Sequence, residues 1–411
     1  MLLARALSQV VRIGRLDVED ASGGRHVFGG APGPAVSIKL RDPALHWKLL
    51  ARPRLNIPQA YMDGTLTIEA GTLYDFLELL AINQQDTPSL LLRFGEKAAL
   101  LTRRFLQFNP VPRARRNVAH HYDLSDELYE LFLDRDRQYS CAYFCTPEDD
   151  LETAQLNKKR HLASKLLLQP GQKVLDIGSG WGGLALYLAA ECDVDVTGLT
   201  LSAEQHAVAQ RRAAAAGLSD RVRFFLHDYR EERGSYDRIV SVGMFEHVGV
   251  NHYGQFFKTV KTLLKPDGVA LLHAIGRADG PASTNPWLRK YIFPGGYSPA
   301  LSEVTPAVER ARLWITDIEI LRLHYANTLR NWRARFERNR DHIRRLYDER
   351  FCRMWELYLT GSEIAFRRQG HIVWQMQLAK AIDTVPLTRG YMVDWERAHS
   401  GEGVKEADRA A

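Results

Sequence analysis

The chain has 411 residues, 45% of them hydrophobic and 25% charged, so it can bury a full core and still form a second, smaller domain. Its four cysteines are too few and too scattered for a disulfide framework, and no second pair completes a zinc site, so we predict a reducing compartment and no bound metal. The net charge of +6 predicts an anionic partner, either nucleic acid or the acidic face of a membrane.

Residues 1–90 combine strand-like and helical patterns, and we predict that they form an N-terminal α+β accessory domain that docks on lipid or membrane. The strand-like runs are Val36–Leu40 and Thr65–Glu69. Met1–Leu16 is apolar with helical periodicity, but three arginines interrupt it well short of the roughly 20 apolar residues that a membrane span needs. We therefore expect neither secretion nor a membrane-spanning segment.

An arginine-rich stretch with two prolines follows the accessory domain and predicts a linker at 91–117. A second domain is expected over residues 118–395, and a disordered tail over 396–411. Strand-like runs alternate with helical runs in the second domain, which is the rhythm of a doubly wound parallel sheet. The predicted strands are 173–178, 194–201, 222–228, 236–245 and 268–276, and the predicted helices are 183–192, 202–216 and 251–264.

A glycine-rich turn follows the first of these strands, in the sequence VLDIGSGWGG of Val174–Gly183. Gly178 and Gly180 allow a tight turn and a close backbone approach to a ligand, which nicotinamide and S-adenosylmethionine (SAM) sites both need. The end of the next strand favours SAM, because Thr200-Leu201-Ser202 stands where dinucleotide enzymes usually carry an acidic residue. Asp228-Tyr229, at the end of the third strand, suits the edge and the ring of an adenine.

Further motifs lie on both sides of the glycine turn. They include His121-Tyr-Asp-Leu124, Tyr139-Ser-Cys-Ala-Tyr-Phe144, Leu151-Glu-Thr-Ala-Gln155, Ser241-Val-Gly-Met-Phe-Glu-His-Val-Gly249, Leu271-Leu-His273, Pro286-Trp287 and Tyr291-Ile-Phe-Pro294. Together they resemble the cyclopropane-fatty-acyl-phospholipid synthase family, which includes the mycolic acid cyclopropane synthases. The resemblance runs from about His120 to Lys380 and extends to Ala60-Tyr-Met-Asp-Gly64 in the accessory domain.

The resemblance implies a Rossmann-like class I methyltransferase with a doubly wound, mainly parallel sheet. The implied reaction transfers a methylene from SAM to the cis double bond of an unsaturated phospholipid acyl chain. It gives a cyclopropane through a carbocation that a bound bicarbonate deprotonates. The implied cofactors are SAM and bicarbonate, and an insertion near 277–312 is expected to cover the lipid channel.

The same resemblance implies the residues of two neighbouring sites. The bicarbonate site maps onto the backbone at Cys141 and Ile275 and onto the side chains of Glu246, His273 and Tyr325. These are the residues that we expect to be catalytic. The motifs predict a cofactor site formed by Tyr139, Ser140, Asp176, Gly178, Ser179, Gly180, Gly182, Thr200, Leu201, Ser202, Gln205, Asp228 and Tyr229.

Several departures from the family pattern leave alternatives open. Ser179 replaces the usual cysteine of the turn, which is a near-isosteric change, and Ala274 stands where the family usually has threonine. The alternatives are a SAM-dependent C-methyltransferase that makes methyl-branched or methylene fatty acyl chains and a non-catalytic lipid-binding protein. A nucleic-acid methyltransferase is disfavoured because no target-recognition motif is present, so we expect no nucleic-acid partner.

Membrane access follows from the chemistry of the implied substrate. Lifting an acyl chain out of a bilayer costs about 0.8 kcal/mol for each exposed CH₂ group unless an apolar channel receives it. Arginine-rich stretches at 103–116 and 330–353 are candidates for binding anionic headgroups. We therefore expect a cytoplasmic protein that is peripherally associated with the inner face of the cytoplasmic membrane, and the resemblance suggests a homodimer.

Overall fold

Residues 2–85 and 124–399 are described by the computed structural model, and they divide into two compact units. The first unit combines residues 2–85 with Ala282–Pro294 and Ala326–His371. The second combines residues 124–281, Gly295–Tyr325 and 372–399. The predicted linker, the 103–116 arginines and residues 400–411 of the predicted tail lie outside the described residues.

The first unit contains a four-stranded sheet in the order β2-β1-β3-β4. Its strands are β1 (Ile13–Glu19), β2 (Arg25–Gly29), β3 (Ala31–Leu40) and β4 (Leu66–Ala70). β1 pairs in parallel with β3, whereas β1–β2 and β3–β4 are antiparallel. Helices Leu2–Val10, Leu45–Ala51, Pro53–Met62 and Leu73–Gln85 complete the N-terminal part of this unit.

The helical prediction for Met1–Leu16 is wrong in its second half. The helix ends at Val10 and β1 begins at Ile13. Leu16 and Val18 are buried while the polar residues between and beside them are not, which is the period-two pattern of a strand with one buried face. Val36, Ile38 and Leu40 repeat this pattern in β3.

The later segments of the first unit are helical. Helices Pro286–Tyr291, Arg340–Leu346 and Glu349–Arg368 belong to it, together with helix His324–Arg338 from Ala326 onward. Helix Glu349–Arg368 begins after Asp348, whose side chain accepts a 2.6 Å hydrogen bond from the backbone N–H of Phe351. Its buried face, which includes Trp355, packs against helices Leu73–Gln85 and Pro53–Met62.

The second unit contains a seven-stranded sheet in the order β10-β11-β9-β8-β5-β6-β7. The strands are β5 (Lys173–Ile177), β6 (Asp195–Thr200), β7 (Val222–Leu226), β8 (Tyr236–Val242), β9 (Leu264–Arg277), β10 (Trp314–Ile320) and β11 (His371–Ala379). The β5–β6, β6–β7, β5–β8 and β8–β9 pairs are parallel, and the β10–β11 pair is antiparallel. The strand order reverses between β5 and β8, so a crevice is expected at the carboxyl ends of these two strands.

Helices cover both faces of this sheet, namely Asp126–Phe132, Leu151–Leu166, Gly183–Cys192, Ala203–Ala215, Tyr253–Leu263, Leu301–Ala311 and Gly390–His399. Neighbouring residues of a central strand enter separate cores. Leu175 and Ile239 join one buried cluster, whereas Val174 and Val240 join the other. The predicted α/β fold with a doubly wound, mainly parallel sheet is confirmed.

Two boundaries of the predicted organisation need correction. The predicted insertion at 277–312 is not one segment, because Ala282–Pro294 belongs to the first unit and helix Leu301–Ala311 packs on helix Tyr253–Leu263 in the second. Val304, Ala307 and Val308, spaced for one helical face, place that helix in the sheet core. The predicted tail also starts too early, because helix Gly390–His399 continues beyond residue 396.

Candidate active site

The glycine turn after β5 has the backbone conformation that its sequence predicts. Gly178 has φ +89° and Gly180 has φ +54°, both in the left-handed region. A Cβ atom on Gly178 would lie 2.8 Å from the Cβ of Met244, so a side chain does not fit there. The backbone N–H groups of Gly178 and Ser179 both donate to the carbonyl of Leu199 at 2.9 Å, which holds the turn against the end of β6.

One cavity opens at the carboxyl ends of β5, β6 and β8. Eleven of the thirteen residues predicted to bind the cofactor line it: Tyr139, Ser140, Asp176, Gly178, Ser179, Gly180, Thr200, Leu201, Gln205, Asp228 and Tyr229. Their convergence from four separate segments of the chain supports a single ligand site at the strand ends.

Gly182 and Ser202, the remaining two, have structural contacts instead. A Cβ atom on Gly182 would lie 2.6 Å from the ring of Phe224, so this glycine allows close packing of the turn against β7. Ser202 caps helix Ala203–Ala215, and its Oγ accepts a 3.2 Å hydrogen bond from the backbone N–H of Gln205. Neither residue lines the cavity.

Two carboxylates in the cavity differ in their surroundings. Asp176 is 2% exposed, and its Oδ2 has no hydrogen-bond partner within residues 2–85 and 124–399. Burial raises the pKa of Asp176 to about 7, although the nearby Lys158 acts against that rise. Asp228 is instead paired with Arg230, which donates from Nε to one oxygen and from Nη2 to the other, both at 2.7 Å.

Sequence reasoning missed several residues that line the cavity, including Arg137, Gln138, Met244 and His247. His247 contributes to the wall, and burial lowers its pKa to about 4, so its ring is neutral. Gln138 could have been found from its place beside the Tyr139 motif. Met244 and His247 could have been found from their place in the Ser241–Gly249 motif.

A second group of predicted residues lies beside this cavity rather than in its wall. Glu246 follows β8 in the short 3₁₀ turn Phe245–His247, and its Oε1 accepts a 2.6 Å hydrogen bond from the backbone N–H of Ile275 in β9. Its Oε2 is buried and has no hydrogen-bond partner among the residues that the structure describes. Burial raises the pKa of Glu246 to about 7.

His273 lies two residues before Ile275, at the register position that pairs β9 with Val242 of β8. It is 2% exposed, and its carbonyl accepts a 2.9 Å hydrogen bond from the backbone N–H of Gly243. Burial lowers the pKa of His273 well below its ordinary value, and the positive charges of Lys158 and Lys165 act in the same direction. The ring is therefore neutral.

Cys141 and Tyr325 lie in two segments that are joined by a hydrogen bond. The backbone N–H of Phe144, three residues after Cys141, donates to Nδ1 of His324 at 3.0 Å, and Tyr325 is the next residue. Both Cys141 and Tyr325 are buried. The Sγ of Cys141 lies 3.3 Å from the carbonyl of Ala142, so the thiol has a structural contact.

The polar groups of this second cluster suit a small anion better than a cation. The Ile275 N–H already meets one oxygen of Glu246, and a protonated Glu246 could donate from the other. A neutral histidine contributes one further N–H donor. Glu246, His273, Ile275, Cys141 and Tyr325 all belong to the second unit.

Residues 111–376 match the family model described as mycolic acid cyclopropane synthetase. The chain belongs to this family. A relative named cyclopropane-fatty-acyl-phospholipid synthase, from Escherichia coli K12, is 36% identical over 357 residues, which cover 87% of this chain and 90% of that protein. A second, named tuberculostearic acid methyltransferase UfaA1, from Mycobacterium tuberculosis, is 42% identical over 281 residues, 65% of this chain and 66% of its own.

Family membership agrees with the fold. The solved structure of mycolic acid cyclopropane synthase CmaA1, complexed with SAH and CTAB, superposes with a TM-score of 0.62 at 34% identity and covers 67% of this chain and all of that one. The predicted resemblance is confirmed, and the chain is a SAM-dependent methyltransferase. Along residues 2–85 and 124–399, none of the helices combines the length and the apolar character needed to cross a bilayer.

Proposed function

We propose that this enzyme transfers a methylene from SAM to the cis double bond of an unsaturated phospholipid acyl chain and closes a cyclopropane ring. The observation that carries the proposal is the buried cluster of Glu246, Ile275 and His273 beside the cavity at the strand ends. The synthase relative from Escherichia coli K12 supports the substrate class, because the match includes most of both chains.

The chemistry requires a dry site. When bound, SAM supplies an electrophilic methyl group on a sulfonium, and an isolated alkene is a weak nucleophile toward it. Close alignment away from water therefore has to supply much of the rate. The glycine turn permits close backbone approach to the cofactor. The residues proposed to bind SAM are Tyr139, Ser140, Asp176, Gly178, Ser179, Gly180, Thr200, Leu201, Gln205, Asp228 and Tyr229.

Ring closure requires removal of one proton from the newly added carbon. We propose that a bicarbonate ion acts as the base and is held by the side chains of Glu246, His273 and Tyr325 and by the backbone at Cys141 and Ile275. The buried, unpartnered Oε2 of Glu246 supports this assignment, because a buried polar atom without a protein partner is expected to meet a ligand or a water molecule. A histidine N–H and a protonated carboxyl group are both suitable donors to an anion.

A second candidate is a C-methyltransferase that leaves a methyl-branched or methylene-bearing chain. The 42% identity to tuberculostearic acid methyltransferase favours it, although that match includes a smaller part of this chain than the synthase match does. The two reactions share the methyl transfer and differ in how the cation is quenched. Loss of a proton gives the methylene-bearing chain, whereas a saturated methyl branch needs hydride from a separate reductant. Ala274, fully buried next to His273, is the departure from the family pattern closest to that step.

The acyl substrate also has consequences for where the enzyme works. We propose that it acts in the cytoplasm at the inner face of the membrane, with the net charge of +6 favouring anionic headgroups. A homodimer remains a prediction from the family resemblance. Binding of liposomes that contain an anionic lipid, compared with neutral liposomes at the same salt concentration, measures the contribution of charge.

The direct test incubates the purified enzyme with SAM, bicarbonate and liposomes of a cis-monounsaturated phospholipid. The fatty acids are then analysed by mass spectrometry and proton NMR. We expect a gain of one CH₂ unit with upfield ring protons and no alkene signal. A gain of the same mass with vinylic protons supports the methylene-forming alternative. Absence of any lipid product, under conditions where SAM binds, contradicts both candidates.

A further inference from the structure

Gln375 connects the predicted catalytic histidine to a buried lysine. It lies in β11, next to β9 in the sheet, and it is fully buried. Its Nε2 lies 3.2 Å from Nδ1 of His273, and its Oε1 accepts a 2.7 Å hydrogen bond from Nζ of Lys165. Lys165, in helix Leu151–Leu166, is also fully buried.

The lysine determines which way the amide of Gln375 faces. A charged ammonium group has three donors and no acceptor, so it must meet the amide oxygen. Rotation of the amide by half a turn would place its NH₂ group against the ammonium and leave two donors in conflict. The NH₂ group therefore faces His273 and donates to Nδ1. A neutral imidazole that accepts at Nδ1 carries its proton on Nε2.

Neighbouring carboxylates favour the charged form of Lys165, although its burial opposes that form. Its Nζ donates to Oε2 of Glu319, and Asp317 lies 4.0 Å away. Burial lowers the pKa of Lys165 overall, and both carboxylates act against that shift. The same oxygen of Glu319 lies 2.7 Å from Nε2 of His161, and the other ring nitrogen of His161 contacts Glu396.

We propose that Lys165 and Gln375 are positioning residues that hold His273 as the Nε2–H tautomer, so that its free N–H can donate to the anion beside Glu246. The role in turnover rests on the proposed function, but the tautomer itself does not. Fixing the tautomer before the anion binds avoids a rearrangement of the buried site during each turnover.

Gln375→Glu reverses the tautomer while preserving the size of the side chain. A carboxylate has only acceptors, so it would accept from Lys165 and from His273, and the proton of His273 would move to Nδ1. Nε2 would then present a lone pair to the anion. We expect a loss of turnover of about 100-fold or more, since a wrong histidine tautomer has costs of this order in other enzymes. SAM affinity should change less than about twofold.

Gln377→Glu is the matched control. Gln377 lies two residues along the same strand and is equally buried, but its Nε2 donates to the carbonyl of Lys165 and to the hydroxyl of Tyr391 instead of to His273. This substitution buries the same additional carboxyl group without changing a partner of His273. Its turnover should fall much less than that of Gln375→Glu.

The deciding experiment is ¹⁵N NMR of protein labelled on its histidine side chains. The His273 signals are assigned by their loss in His273→Gln. We expect a protonated Nε2 and an unprotonated Nδ1 in the wild type, and the reverse in Gln375→Glu. A wild-type proton on Nδ1, or a charged ring, would overturn the proposal.

Equal turnover of the two glutamate variants after a confirmed tautomer change would also overturn the proposed role. The expected tautomer in a wild type that forms no lipid product would instead count against the proposed function alone.

Discussion

The burial of Glu246 makes the stability of the folded protein depend on pH. Burial raises its pKa to about 7, above the ordinary value, so the folded protein binds this proton more tightly than the unfolded chain does. The contribution of Glu246 to the free energy of unfolding is therefore largest at low pH. It is lost as the pH rises from about 4.3 to about 7.

Glu246→Gln should raise the free energy of unfolding at pH 8 by about 2–3 kcal/mol, because glutamine has no charge to bury. The difference should shrink at pH values near the ordinary glutamate pKa. Urea unfolding at both pH values measures it, with Glu309→Gln on the surface as the control. Glu246→Gln should also lose turnover. If Glu246→Gln is no more stable than the wild type at pH 8, the carboxyl group of Glu246 is not desolvated.

The family resemblance could propose Glu246 and His273 as site residues, but no sequence pattern indicated Gln375. Glu246 and His273 lie in motifs that carry the resemblance, close to the ends of consecutive strands. Gln375 lies 102 residues from His273 along the chain, and its contact depends on β11 adding next to β9. β11 had no predicted counterpart, although Trp374, Met376 and Leu378 alternate with Gln375 and Gln377, and the structure buries both sets.

At the scale of the element, the turn after β5 is where backbone conformation limits substitution most. Gly178→Ala places a Cβ atom 2.8 Å from Met244 at a residue with φ +89°. We expect the turn to shift and the Kd for SAM to rise about tenfold or more. Isothermal titration of SAM measures this change.

Gly171→Ala separates backbone strain from the effect on the site. Gly171 has φ +75°, but a Cβ atom there would meet nothing within 4 Å. This control should lose about 1 kcal/mol of stability and leave SAM affinity unchanged. Equal changes in affinity for both variants would contradict the role of Gly178 in the site.

The helices of the first unit are held by an ionic cluster around Arg340. Its guanidinium contacts Glu356 at 2.9 Å, Glu349 at 3.0 Å and Glu337 at 3.3 Å, and Glu356 also accepts a 2.8 Å hydrogen bond from the hydroxyl of Tyr61. Nearby carboxylates raise the pKa of Arg340 although burial opposes them. The cluster therefore connects four helices of the unit.

Arg340→Met should lower the free energy of unfolding by about 2–4 kcal/mol, because it leaves three carboxylates without their shared partner. Arg344→Met in the same helix is the control, since Arg344 pairs with Asp341, which is 77% exposed. Exposed pairs contribute between about 0 and 1 kcal/mol. Urea unfolding followed by tryptophan fluorescence compares them, and equal losses would contradict a special role for Arg340.

Helices and strands were predicted accurately where the local sequence pattern fitted only one type of secondary structure. The helix predicted at 183–192 has the observed bounds Gly183–Cys192, and the strand predicted at 222–228 ends two residues earlier than expected. The N-terminal region was harder because helix Leu2–Val10 and β1 are separated by only two residues. So short a connection hid the change from the helical period to the period of a strand.

At the scale of the whole molecule, the sequence predicted contiguous domains, whereas the compact units are built from separated segments. Ala282–Pro294 and Ala326–His371 return to the first unit after most of the second unit has formed. Composition and the glycines and prolines of loops do not reveal that a later segment belongs to the first unit. A short connection within a unit resembles one that leads to the other unit. Long-range contacts are needed to assign these segments.

The central claim is that methyl transfer to a lipid alkene is followed by loss of one proton from the transferred carbon. Turnover with SAM that carries a fully deuterated methyl group tests it most directly, with mass spectrometry and NMR of the lipid product. We expect a cyclopropane whose ring methylene keeps two of the three deuterons. A product that retains all three deuterons, or one that carries the label beside a surviving alkene, would contradict ring closure.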